Sequence, residues 1–261
     1  MLKLFDTHAH IDDKQFDADR DEVIKKIRQS GVELLMEVGS DLESSKKAVE
    51  IAGSNSFIYS AVGIHPESAD KADDEALYAI KELAASENRV KAIGEIGIDY
   101  YYDNCPSRSE QIRCFERQID IARELSLPII VHDRRSKGDV MRVLKEKKVE
   151  RAVLHCFSGR AETAEIFVKM GYMISFTGVI TFKNAKKAVE ALKAVPLENL
   201  MIETDSPYMT PEPHRGKRND SSYVKFIAEK MAEIKGVTAE ELAEITYQNG
   251  VKFFNIEEGL N

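Results

Sequence analysis

The run Phe5-Asp6-Thr7-His8-Ala9-His10 sets two imidazoles in alternation directly behind a short apolar stretch. In an extended backbone alternate side chains share a face, so His8 and His10 point the same way. Two ring nitrogens then converge on one point, with Asp6 near enough in sequence to supply an oxygen or a hydrogen bond to an imidazole. That is half of a metal site. An isolated His-x-His is more often a pair of hydrogen-bonded rings, so the reading depends on where the other polar residues fall.

They fall in matching places. His65 stands in Gly63-Ile64-His65-Pro66, Glu95 in Ile93-Gly94-Glu95-Ile96-Gly97, His132 in Val131-His132-Asp133, His155 in Leu154-His155-Cys156 and Asp205 in Glu203-Thr204-Asp205-Ser206-Pro207, each behind an apolar run. Of the six histidines only His214 lies in a loop away from such a run. His8, His10, His132 and His155 with two carboxylates are too many donors for one tetrahedral ion. The set suits two ions bridged by a carboxylate. Mixed imidazole and carboxylate ligands favour Zn, Mn or Ni; Mg prefers oxygen but can act as the activating ion at a weaker position.

Such groups need strands to align them. Apolar runs at residues 2–5, 34–38, 57–62, 90–93, 127–131, 152–154, 172–176 and 200–202 alternate with segments of helical spacing. Val23, Ile24 and Ile27 form one helical face, closed by Ser30-Gly31; Ile112, Phe115, Ile119 and Ala122 form another after Pro106. Two helices close the chain, one with Val224, Ile227, Met231 and Ile234, the other with Leu242, Ile245 and Phe253. Continuous apolar strands each followed by a helix imply a parallel sheet covered outside. Eight such units in 261 residues predict an α/β chain forming a single-domain (β/α)8 TIM-type barrel over residues 1–261, with a doubly wound open sheet as the alternative. In such barrels the catalytic groups come from the C-terminal ends of several strands. The second and seventh strands contribute no residue of this type.

Composition narrows the function. At 43% hydrophobic and 31% charged residues the chain reads as an ordinary globular protein, with neither a membrane-length apolar window nor a signal peptide. With no signal peptide the expected compartment is the cytoplasm, and Cys105, Cys114 and Cys156, which lack Cys-x-x-Cys spacing, read as reduced thiols. A net charge of −8 argues against a broad footprint on duplex nucleic acid, while leaving room for a local basic rim.

The motifs FDTHAH, GIHP, AIGEIGIDYYYD, PIIVHDR, HCFSG, FTGVITFKNA, ETDSPYMTP and HRGKRN, in this order, resemble the TatD family of metal-dependent deoxyribonucleases, within the amidohydrolase-like barrels. The resemblance implies two divalent cations and hydrolysis of DNA phosphodiester bonds, often by removal of nucleotides from the 3′ end. It implies that His8, His10, Glu95 and Asp205 hold one ion and Glu95, His132 and His155 the other, Glu95 bridging. Ala9, the Asp133-Arg134-Arg135-Ser136 stretch and Ser221-Ser222 depart from the usual pattern, at positions that bear on substrate contacts rather than on the ligands.

In the expected mechanism a water activated by the ions attacks phosphorus in line, with Asp205 and Glu95 as the catalytic carboxylates and Asp205 holding or deprotonating that water. His65 is expected to hydrogen-bond a substrate phosphate, and Glu203 to orient a ligand or pair with a basic residue. Arg215 leads a phosphate clamp with Lys217 and Arg218, extended by Arg134, Arg135 and Lys183. Tyr100, Tyr101 and Tyr102 offer a stacking platform for an unpaired base. The expected partner is single-stranded DNA ends, with no obligate protein partner and a monomeric state. The competing readings are a metal-dependent hydrolase of a small amide, lactone or phosphoester, and a binding protein with a relic site.

Overall fold

The computed structural model describes residues 2–257. Strands β1 (Leu4–Ala9), β2 (Val32–Val38), β3 (Ile58–Val62), β4 (Val90–Asp99), β5 (Ile129–Arg134), β6 (Ala152–Leu154), β7 (Met173–Phe176) and β8 (Leu200–Ile202) alternate with helices. Those helices are α1 (Arg20–Gln29), α2 (Leu42–Ser54), α3 (Asp74–Ser86), α4 (Arg108–Glu124), α5 (Asp139–Glu146), α6 (Ala161–Lys169) and α7 (Lys186–Ala194), and α8 (Val224–Lys235) and α9 (Ala239–Phe253) close the chain. The strands form one sheet in the order β1 to β8, the topology of the (β/α)8 barrel. A doubly wound sheet would reverse its strand order partway across. Among the described residues no helix is long and apolar enough to cross a membrane.

Packing divides the chain into two compact units, one built from residues up to 37 and from 156 onward, the other from residues 38–155. In the first unit β1 is buried along its whole length and pairs in parallel with β2, Phe5 opposite Leu34. On β1's other side the chain just beyond β8 joins in: Asp205 N–H donates to the His8 carbonyl at 2.9 Å and His10 N–H to that of Ser206 at 2.8 Å. Phe5 packs on Tyr247 and Phe254, with ring centroids 6.4 and 5.8 Å away, so α9 and the residue after it seal this part of the core.

In the second unit β3, β4, β5 and β6 pair in parallel, with Val62 opposite Ile93, Gly97 opposite His132 and Ile130 opposite Val153. β4 continues to Asp99 rather than stopping at residue 93, and β5 continues to Arg134 rather than stopping at residue 131. The extension of β4 depends on glycine. At Gly97, whose φ is +149°, an added Cβ would lie 2.0 Å from the His132 carbonyl oxygen, so no side chain fits between the strands. α4 begins with a reciprocal Ser107–Glu110 capping box and buries Cys114, Phe115, Ile119 and Ala122.

The same face also buries two glutamines, Gln111 and Gln118, seven residues and so about two helical turns apart. Gln111 accepts from Asp99 N–H and donates to the Asp99 carbonyl, both at 2.8 Å; Gln118 accepts from Ile64 N–H at 2.7 Å and donates to the Ile64 carbonyl at 2.9 Å. α4 thereby holds the end of β4 and the residue before His65 through buried amides that strand ladders leave unsatisfied.

Candidate metal centres

The first unit gathers His8, His10 and Asp205. His8 and His10 bring their Nε2 atoms within 3.1 Å of each other, and Asp205 Oδ1 lies 3.8 and 3.6 Å from them. His8 lies inside β1, and His10 just past its end. Asp6 does not add a second oxygen to this cluster. Its carboxylate accepts Thr204 N–H at 2.8 Å and the Thr204 hydroxyl at 2.5 Å, tying β1 to the segment that carries Asp205. Burial pushes Asp6 up to about 7, although the Ser221 and Thr204 hydroxyls pull it down. Asp205 itself has a left-handed φ of 54°, a conformation that costs energy and needs its surroundings to hold it.

β2 also contributes, contrary to expectation. Fully buried Glu37 accepts Ile11 N–H at 2.8 Å and Asp12 N–H at 2.7 Å, fixing the turn that leaves His10. Burial, reinforced by the Asp12 charge, raises its carboxyl well above the usual range.

The second unit gathers Glu95, His132 and His155, with His65 alongside. Glu95 Oε1 is 2.6 Å from His132 Nδ1 and 2.6 Å from His155 Nε2, and those two nitrogens are 3.3 Å apart. Burial alone would push the Glu95 carboxyl up; the charges that His155 and His65 carry when protonated, and hydrogen bonds from His132 and His155, hold it well below the carboxylate range. Burial would likewise depress His132, but hydrogen bonds to Asp99 and Glu95 carry it up to about 9. Sequence reading passed over Asp99, whose Oδ2 lies 3.0 Å from His132 Nε2. A ring raised in this way carries a proton on each nitrogen; were a cation to replace the proton on Nδ1, Asp99 would keep the other on Nε2.

His65 sits in a loop beyond β3, capping a short 3-10 turn rather than ending the strand. Its Nδ1 accepts Glu67 N–H at 3.2 Å, so the hydrogen of the neutral ring is on Nε2, 3.5 Å from Glu95 Oε1. Burial, which outweighs the Glu95 charge, pushes it down to about 3 and keeps the ring neutral. It is therefore a hydrogen-bond donor in this arrangement.

Glu203 clamps backbone. Its Oε1 accepts Cys156 N–H at 2.5 Å and its Oε2 the Ser175 hydroxyl at 2.6 Å, which holds Cys156, the residue after His155, at a left-handed φ of 42°. The basic loop is less open than expected. Arg218 forks onto Asp19 at 2.9 and 2.6 Å, and His214 stacks on Tyr223 at 4.4 Å. Arg215 lies over the Phe182 ring, 4.1 Å from its centroid. Of the three tyrosines, Tyr100 is committed, its hydroxyl donating to Asp139 at 2.9 Å, whereas Tyr101 and Tyr102 are exposed.

Both clusters fit divalent cations by their donor chemistry. In each, two imidazole nitrogens about 3 Å apart converge with a carboxylate oxygen, a donor set that a cation can hold in place of protons.

Residues 5–255 match the family model described as TatD related DNase. A Bacillus subtilis protein named uncharacterized metal-dependent hydrolase YabD is 46% identical over 97% of this chain and 99% of its own length. An Escherichia coli protein named uncharacterized metal-dependent hydrolase YcfH is 38% identical over 97% of this chain and 96% of its own. The crystal structure of YJJV, a TatD homolog from Escherichia coli, superposes with a TM-score of 0.92 at 29% identity, covering 98% of this chain and 99% of that one.

Proposed function

Because this chain belongs to the family of TatD related DNases, we propose that it hydrolyses DNA phosphodiester bonds as a 3′ to 5′ exonuclease on single-stranded ends. The observation that carries the reading is Glu95, a buried carboxylate in contact with the nitrogens of both His132 and His155. In this reading His8, His10 and Asp205 hold one divalent cation and Glu95, His132 and His155 another. Such ions supply Lewis acidity at neutral pH and offset charge on a phosphoryl oxygen.

The chain's own residues do the rest. Asp205, next to the His8 and His10 nitrogens, orients the attacking water and takes its proton. Asp99 holds the His132 ring in one tautomer, and Glu37 and Glu203 hold the backbone beside His10 and His155. His65, neutral and with its donor on Nε2, hydrogen-bonds a phosphate oxygen. Arg215 supplies a cation to the strand's backbone, its guanidinium braced on Phe182.

The test is release of mononucleotides from 3′-labelled and 5′-labelled single-stranded DNA by metal-stripped protein, with Mg, Mn or Zn restored and Glu95→Gln as control. Metal-dependent release from the 3′ end, lost in the variant, is expected. No release with any ion, from protein shown to bind metal, would instead support a hydrolase of small substrates.

A further inference from the structure

Beside the Glu95–His132 cluster lies a built group that the mechanism does not use. Tyr101 and Tyr102 are 40% and 47% exposed, unlike tyrosines packed over a rim. Their rings meet edge to face with centroids 4.7 Å apart. The Arg134 guanidinium sits 3.7 Å from the centroid of Tyr101 and 5.0 Å from that of Tyr102, and Arg135 lies 4.6 Å from Tyr101.

The group is anchored to the metal-ligand cluster through one carboxylate. Asp99 Oδ1 accepts Tyr101 N–H at 2.7 Å; its Oδ2 lies 3.7 Å from Arg134 Nη1 and 3.0 Å from His132 Nε2. Arg134 follows His132 by two residues on β5, so the two side chains share a face of the strand. The guanidinium is thus fixed by Asp99 and Tyr101 while its side chain stays 37% exposed. A fixed cation next to partly exposed aromatic surface is the pairing that binds single strands: the cation takes a phosphate, the exposed part of the ring pair takes a base face.

We propose that Tyr101, Tyr102 and Arg134 form a subsite for one unpaired nucleotide, its base stacked on the tyrosine pair and its phosphate on the guanidinium. The inference rests on the nuclease reading and deepens it, because a base stacked inside a duplex has both faces covered and would have to leave its stack and its pair to enter this group. Selection of single-stranded ends then comes from this group.

Two measurements test it. The first is quenching of 2-aminopurine at the 3′ terminus of a single-stranded oligonucleotide protected by phosphorothioate linkages, which reads stacking without cleavage. Wild-type protein quenches the fluorophore; Tyr101→Ala/Tyr102→Ala does not, and Tyr101→Leu/Tyr102→Leu, which keeps apolar bulk and guards against a folding defect, quenches weakly. The second is the ratio of kcat/KM for an oligonucleotide with an intact terminal base to that for one with an abasic terminal residue. Stacking on aromatic side chains sets this ratio at about tenfold in the wild type, and it falls toward one in the double alanine variant. Absence of quenching by the wild type, or a ratio unchanged in the variant, would overturn the subsite. The nuclease reading fails separately: quenching without metal-dependent release from any unprotected oligonucleotide removes the hydrolysis and leaves the subsite.

Discussion

Asp99 holds the Nε2 side of His132 at 3.0 Å, so that Nδ1 is the nitrogen turned toward Glu95. In the neutral ring that a metal ion requires, the carboxylate selects the tautomer, and through it the direction of a lone pair. Asp99→Asn removes the charge and permits the amide to present the wrong end to the ring. We expect metal affinity at the Glu95–His132–His155 cluster to fall about 10- to 100-fold, read by competition with a chelator of known affinity. The same variant leaves the His8–His10–Asp205 cluster untouched, so a second class of binding with unaltered affinity is expected in the titration.

Glu203→Ala strands the half-buried Cys156 N–H and the buried Ser175 hydroxyl. A loss of about 2–3 kcal/mol in unfolding free energy is expected by urea denaturation, because buried donors left without an acceptor bear their full desolvation cost. Glu203→Gln, which retains one acceptor oxygen, should lose less. Equal losses for the two variants would mean that neither donor depends on this carboxylate.

Chelation should destabilise the whole chain. A ligand bound only by the native state adds about 2.7 kcal/mol at one hundred times its Kd, which in a protein of this size is a shift of about 5–10 °C in Tm. Calorimetry with and without a strong chelator measures it. Asp205→Asn should keep part of the shift, since it leaves Glu95, His132 and His155 in place.

Asp139 gives the acid limb of stability. Arg108 donates to it from Nε at 2.7 Å and Nη2 at 2.6 Å, and Tyr100 adds a third hydrogen bond. The Arg108 hydrogen bonds, set against partial burial and joined by that of Tyr100, hold its carboxyl down to about 2. A depressed carboxyl stabilises the fold fully above its unfolded value near 4 and loses that contribution as pH falls toward about 2. Arg108→Ala should therefore flatten the decline in stability between those values. An unaltered acid limb in melts of that variant would remove Asp139 from the account.

The clustered histidines and carboxylates were legible because the apolar runs of β1, β4, β5, β6 and β8 are each followed closely by a histidine or carboxylate, and a parallel sheet needs such runs. Other features were hidden by ordinary rules of reading. Gly94 and Gly97 read as a break after residue 93, whereas they permit β5 to approach closely enough to carry β4 on to Asp99. Glu37 at the end of β2 and Gln111 and Gln118 on a helix look like surface residues, since nothing local signals that a carboxylate or amide is spent on buried backbone. The basic loop misled in the opposite sense. Arg218 looks free in the sequence because its partner, Asp19, is about two hundred residues away.

The left-handed backbone at Asp205 bears on how its role can be measured. Among non-glycine residues, asparagine and aspartate tolerate that conformation best, because their short polar side chains bond locally. Asparagine at this position alters charge and proton affinity while keeping the turn; alanine alters those and adds conformational strain, which would displace His8 and His10 through the backbone hydrogen bonds they share with this segment. A comparison of the two substitutions separates what the carboxylate contributes to chemistry from what the residue contributes to shape.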